Sequence, residues 1–140
     1  DYGTVIRKDL CTGSGDYAGC VFGIDTLNGE NIEDYVTTKA GSIEVVANDQ
    51  GNMTTGATIL LKDGIGKVVA TYVFIYFGDV NGDGVVDGFD AASMDLAINN
   101  KAALTGAYKT AGGLATGKVD LANYGLVVDA AYGGAAIAQK

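Results

Sequence analysis

Histidine and tryptophan are missing from this chain of 140 residues, and cysteine, lysine and arginine are scarce. Without histidine, acid/base catalysis by imidazole, His-dependent triads and His zinc sites are all excluded. Lysine and arginine total 9 against 17 acidic residues, for a formal net charge of −8, and they form no cluster. That balance argues against nucleic acid and anionic membrane surfaces as partners. Long apolar runs are lacking too. The longest, Val68 to Phe77, falls short of the roughly 18 residues a membrane-spanning helix needs, so no membrane insertion is expected, and its β-branched and aromatic content is that of a buried strand. The two cysteines, Cys11 and Cys20, lie in a Gly-, Ser- and Asp-rich stretch. They fit a small disulfide-closed loop in a secreted protein, or two free thiols. The opening Asp1-Tyr-Gly-Thr-Val-Ile-Arg-Lys8 lacks the apolar core of a secretion signal, as expected of a piece of a longer protein.

What the chain does have is one dense chemical motif, Asp79-Val-Asn-Gly-Asp-Gly-Val-Val-Asp-Gly-Phe-Asp90. A calcium loop of the EF-hand type needs oxygen-bearing side chains at positions 1, 3, 5, 9 and 12, a backbone carbonyl at 7 and glycine at 6. Asp79, Asn81, Asp83, Asp87 and Asp90 supply the side chains, Val85 the carbonyl and Gly84 the turn. Asp90 stands where glutamate is usual, on a side chain one methylene shorter. Calcium takes six to eight oxygens at about 2.3–2.6 Å, and alternate residues of one loop can surround it without long-range assembly. Carboxylates so closely packed repel one another without a cation, so folding and metal binding are expected to be coupled. The competing reading is a solvated acidic turn, but it leaves the register of five ligand positions and a glycine unexplained.

Apolar residues make up 48% and charged residues 19%, a globular composition. The length suits one domain or two small ones, each near the size at which a core alone gives little stability. Residues 1–77 read as a small strand-rich module. Cys20 to Ile24 is a short apolar run, Asn28-Gly29 a turn, and Ile32, Tyr35 and Val36 predict a short helix over Glu30 to Thr38. Ser42 to Ala47 predicts a strand ending at an Asn48–Asn52 turn, and Thr58–Lys62 and Lys67–Phe77 a hairpin across Asp63-Gly64. From Gly78 the pattern changes to loops and helices, expected at Phe89–Asn99, Leu104–Thr110 and Asn123–Tyr132. With no Pro-, Gly- or Ser-rich linker between them, the two modules are expected to pack together.

Gly84-Val-Val-Asp-Gly-Phe-Asp90 aligns with Gly117-Lys-Val-Asp-Leu-Ala-Asn123, matching the glycine at loop position 6, the valine at 8 and the aspartate at 9. The second loop, Gly112 to Asn123, keeps only Asp120 as a carboxylate, its other ligand positions falling on Gly112, Leu114, Thr116 and Asn123. One calcium is expected, with the second loop held by packing and hydrogen bonds. A duplicated loop-helix unit of this kind, with aspartate at position 12 and the stretch Gly78-Asp-Val-Asn-Gly-Asp-Gly84, resembles the dockerin modules of cellulosome proteins over residues 78–140. Thr105-Gly-Ala-Tyr108 is similar to that family's inter-repeat segment. Residues 1–77 resemble the small X-modules that precede some dockerins. The fold implied is α+β: a β-rich N-terminal module, sandwich, Ig-like or β-grasp-like, packed on a helical dockerin with two EF-hand-like units.

The resemblance implies a protein-interaction function, calcium-dependent binding to a cohesin module of a scaffold or cell-surface protein, in an extracellular bacterial assembly for polysaccharide degradation. Helical spacing turns Ala91, Met94, Ile98, Tyr124, Val127 and Ala131 inward and leaves Phe89, Ala92, Ser93, Leu96, Ala122, Leu126 and Val128 for a partner. Where many dockerins carry Ser or Thr at loop positions 10 and 11, this chain has Gly88 and Phe89, which implies a more apolar contact. The two unlike repeats imply docking in a single orientation. The alternative is a calcium-stabilised structural segment of a bacterial surface protein without a cohesin partner. Catalysis is not expected from this chain, whose densest carboxylates are committed to the metal, although an enzyme domain upstream is compatible with it.

Overall fold

Seven strands and three helices are found among the described residues, in the order Thr4–Ile6 (β1), Cys11–Thr12 (β2), Cys20–Phe22 (β3), Val36–Thr38 (β4), Ser42–Val46 (β5), Thr58–Lys62 (β6), Val68–Phe74 (β7), Gly88–Ile98 (α1), Gly106–Gly113 (α2) and Leu121–Ala131 (α3). The computed structural model describes residues 4–6, 11–12, 19–24, 32–33, 36–38, 40–114 and 116–139, with the backbone alone for 4–6, 11–12 and 37. Five strands form a mixed sheet in the order β2-β3-β7-β6-β5, and β1 and β4 form a separate two-stranded ladder. The β5-β6-β7 meander is antiparallel, whereas β3 runs parallel to β7. The protein is therefore α+β.

Period-2 alternation decides what each face of the sheet meets. Along β6, Ile59 and Leu61 are buried while their neighbours are partly exposed. Ile59 joins Val21, Ile24, Ile32, Val36, Val45, Ala57 and Phe74 in one core. On the opposite face of β3 and β7, Cys20, Phe22 and Val73 pack on a second core built from Ile75, Phe77, Val80, Ala91, Met94, Ala111, Leu114 and Val127. Residues on both sides of the Phe77/Gly78 boundary thus share one apolar cluster, and the Phe22 and Phe77 rings meet at 5.2 Å. Burying a side chain such as Met94 contributes roughly 1.5–3 kcal/mol. The C-terminal tail returns to this junction, where the buried Gln139 donates to the Phe77 carbonyl at 3.0 Å and accepts from its N–H at 2.9 Å.

The helices begin where side chains satisfy their free N–H groups. Asp87 caps α1, and Asp90 accepts from the Asp87 N–H in return, a reciprocal capping box. Asp120 caps α3 by accepting from the Asn123 N–H at 3.0 Å. All three helices start within two residues of the positions the sequence predicts, and no helix among the described residues is long and apolar enough to cross a membrane.

Several expectations change. The long apolar run forms a strand only over Val68–Phe74, and Val68 and Val69 at its start are exposed rather than buried. Val36–Thr38 is a strand, pairing with β1 through Val36 opposite Ile6, so the helix expected over 30–38 does not extend through it; among the described residues of that segment, 32–33 make a turn of the tighter 3₁₀ kind. The β-branched run Val36-Thr37-Thr38 favours extended backbone once a partner strand is available, which outweighs the three-residue apolar spacing. The turn expected at Asn28-Gly29 lies outside the described residues. Cys20 is a free, half-buried thiol whose pKa burial raises, rather than half of a disulfide. The ladder places Cys11 across from Phe22, so Cys20 is a diagonal neighbour at about 7–8 Å, beyond the Cα separation disulfides take.

Candidate metal centre

The loop from Asp79 to Asp90 connects the end of the sheet to α1, and two of its glycines let it curl back on itself. Gly82 and Gly84 both take left-handed backbone (φ +75° and +86°), which side chains with a Cβ resist. The curl brings together carboxylate oxygens of Asp79, Asp83 and Asp90, all within 4.8 Å of one another. Two oxygens on one calcium ion lie no farther apart than twice the metal–oxygen distance, about 4.6–5.2 Å, so the spacing suits an ion of that size.

Asp79 and Asp90 are fully buried, at 0% exposure, while Asp83 faces solvent. Asp79 accepts from the N–H groups of Gly82, Asp83 and Gly84 at 3.0–3.2 Å and from the Thr54 hydroxyl. Asp90 accepts from the N–H groups of Val80, Asn81 and Asp87. Among the described residues no lysine or arginine pairs with either one. Burial raises the Asp79 carboxyl above the usual range against the pull of its hydrogen bonds. Burial, reinforced by the neighbouring charge of Asp79, pushes Asp90 up to about 7. The structure thus holds two buried acids with no counter-charge among the described residues, a state that a bound cation relieves. The donors are hard oxygens, suited to calcium, magnesium or manganese rather than to zinc or copper.

The remaining sequence-predicted ligands have other partners. Asp87 lies outside the converging trio, its carboxylate accepting from the Phe89 N–H at 3.0 Å as the helix cap. Asn81 sits beside the trio, with its side chain bonded to Asp83 at 3.3 Å through both its amide nitrogen and its oxygen. Val85 is exposed and donates its N–H to Asp83.

The second loop is closed differently. The buried Asn123 amide nitrogen donates to the Gly113 carbonyl at 2.9 Å, the Thr116 hydroxyl at 2.9 Å and the Lys118 carbonyl at 2.7 Å. Thr116 and Lys118 fall at loop positions 5 and 7, where a calcium loop presents ligand oxygens, so a neutral donor spans the groups a cation would span.

Sequence reasoning missed the loop's outer partners. Thr54 bonds Asp79, and the Asn48 and Asn52 amides both donate to the Gly82 carbonyl at 2.9 Å. The only local signal was a turn at 48–52, which says nothing of what the turn touches. Of the expected partner face, Phe89, Ala92, Leu96, Ala122 and Leu126 are exposed. Ser93 and Val128 are instead half-buried, Val128 against the helical core. Leu121 and Tyr132, exposed at 71% and 76%, extend the apolar surface at the two ends of α3.

Compared with protein-family models, curated proteins and solved structures, the chain matches none of them significantly.

Proposed function

We propose that this chain is a calcium-dependent protein-interaction module, in which the loop Asp79–Asp90 binds one calcium and the helices it anchors present an apolar face to a partner. The observation that carries this reading is the pair of fully buried carboxylates, Asp79 and Asp90, converging with Asp83 and left without a basic partner among the described residues. Asp90 both belongs to the trio and closes the capping box of α1, so an ion at the loop also fixes the start of the helix carrying Phe89 and Leu96.

The finer reading is a dockerin-like unit of two EF-hand-like loop-helix repeats behind an X-module-like strand-rich half, binding a cohesin outside the cell. Its support is the sequence register of the two loops and the matching roles of Asp87 and Asp120 as helix caps three residues before Asp90 and Asn123. Exposed Phe89, Leu96, Leu121, Leu126 and Tyr132 are a supply of apolar anchors of the kind that dominate binding energy. Titration of a panel of cohesins with and without chelator tests the proposal. Binding that requires calcium and weakens by more than about 1 kcal/mol on Phe89→Ala or Leu96→Ala is expected, and binding indifferent to chelator overturns the mechanism.

A second reading, a calcium-stiffened structural segment, is favoured by the hydrogen bonds from Asn48, Asn52 and Thr54 to the loop, which tie it to the sheet. A flat response to every cohesin, with calcium still raising Tm, selects it.

A further inference from the structure

Between β5 and β6 the chain makes a turn that is built around Asn48 and faces the metal loop. The Asn48 carboxamide oxygen accepts from the N–H groups of Gln50 and Asn52 at 3.0 Å, which closes the turn on itself. Its nitrogen is thereby aimed outward, donating to the Thr55 carbonyl and to the Gly82 carbonyl, each at 2.9 Å. Asn52 adds a second amide donor to the same Gly82 carbonyl. Thr55 is fixed in turn, its hydroxyl donating to the Tyr76 carbonyl and accepting from the Tyr76 N–H at 3.1 Å. Thr54, 1% exposed, reaches the Asp79 carboxylate. From the other side the Tyr108 hydroxyl of α2 donates to Asp49 at 2.5 Å.

These contacts touch the loop at two decisive points. Asp79 is its first ligand, and Gly82 is the hinge between Asn81 and Asp83. The fit at Gly82 is close enough that a Cβ there would stand 2.8 Å from the Asn48 amide nitrogen and 2.9 Å from the Tyr108 ring. The donors come from residues 25 to 34 positions upstream, so the loop's own sequence does not supply them.

We infer that Thr54, Asn48 and Asn52 are positioning residues of the cation site, holding the loop in its ligating shape from outside so that the strand-rich half sets part of the cation affinity. This rests on the reading of Asp79–Asp90 as a calcium loop. Ligating carboxylates are oriented by outer hydrogen-bond donors, and removing one such donor costs about 10- to 100-fold in metal affinity. A hydroxyl held in the buried wall behind Asp79 is such a donor, and a loop already shaped loses less conformational freedom when the ion arrives.

The test is calcium titration of the whole chain by calorimetry, for wild type, Thr54→Val, Thr54→Ser and Asn52→Ala. Thr54→Val keeps the branched shape and removes only the donor. The expected result is a Kd raised about 10-fold or more in Thr54→Val, with Thr54→Ser returning close to wild type. A side chain that only packs the junction would lower Tm in Thr54→Val and leave the Kd of the folded protein unchanged, and that outcome overturns the inference. If Thr54→Val does not fold, Asn52→Ala, altered at a half-buried position, decides instead: a several-fold rise in Kd upholds the inference and an unchanged Kd overturns it. Failure of wild type to bind calcium at all is a separate result, which removes the calcium reading and this inference together.

Discussion

Asp90 concentrates three roles in one side chain. It closes the capping box of α1, receives the N–H groups of Val80 and Asn81 that hold the loop's first turn, and points a charge at Asp79. Without a cation that charge is a burden, since a buried carboxylate lacking a counter-ion is poorly solvated. With a cation it is a ligand. Asp90→Asn is therefore expected to have opposite effects in two buffers: a Tm above wild type in chelator, and a Tm below wild type in saturating calcium. Thermal melts of both proteins in both buffers check this, and a Tm shift of the same sign in both would contradict the assignment of Asp90 as a ligand. The five-oxygen register was legible in the sequence because all these groups lie within one loop. The division of labour among them was not, since Asp87 became a cap and Asp90 gained a second task only when the loop met α1.

The loops that precede α1 and α3 are closed by different chemistry. Around Asp79 the loop gathers three carboxylates that could hold a metal ion, whereas around Asn123 an amide nitrogen donates to Gly113, Thr116 and Lys118. Asn123→Ala removes a donor shared by three oxygens, of which the Gly113 carbonyl keeps the Gly117 N–H at 2.8 Å, and each hydrogen bond lost costs roughly 0.5–1.5 kcal/mol. The expected outcome is a loss of about 2–4 kcal/mol that is the same in calcium and in chelator, measured by denaturant unfolding in each. A loss confined to chelator would mean that a cation substitutes for the amide. At this scale the helices were readable from caps and spacing, which are local. The strand at Val36–Thr38 was not, because its pairing partner lies some thirty residues upstream in β1.

Across the whole molecule, β3 and β7 carry a core on each face, and the Asp79–Asp90 loop sits where the sheet, the helices and the tail held by Gln139 converge. A change of charge there acts on global stability. The folded-state pKa of Asp90 is raised to about 7, above the unfolded value near 3.9, so the folded chain binds this proton more tightly than the unfolded one. The sign follows: in chelator the contribution of Asp90 favours folding at low pH and is lost as pH rises from about 4 through about 7. Asp79, raised by burial, acts in the same direction. Chelated protein is expected to lose stability between pH 5 and pH 8, and saturating calcium to abolish or reverse that loss, since the ion competes with the proton for the same oxygens. Denaturant titrations at the two pH values, with and without calcium, measure it, and a chelated protein that gains stability over this interval would refute the buried-acid picture.

By itself the sequence determined the local chemistry: which oxygens can converge, where glycine permits the chain to curl, and where aspartate starts a helix. Those depend on neighbours a few residues away, and periodicity records them. The tertiary structure alone decided that a turn at Asn48 and a hydroxyl at Thr54 stand behind the loop, that Cys20 stays a thiol, and that Val128 turns toward the core. Each of those depends on which distant surfaces meet, and hydrogen bonds across 25 to 34 residues leave no periodic trace in the chain that makes them.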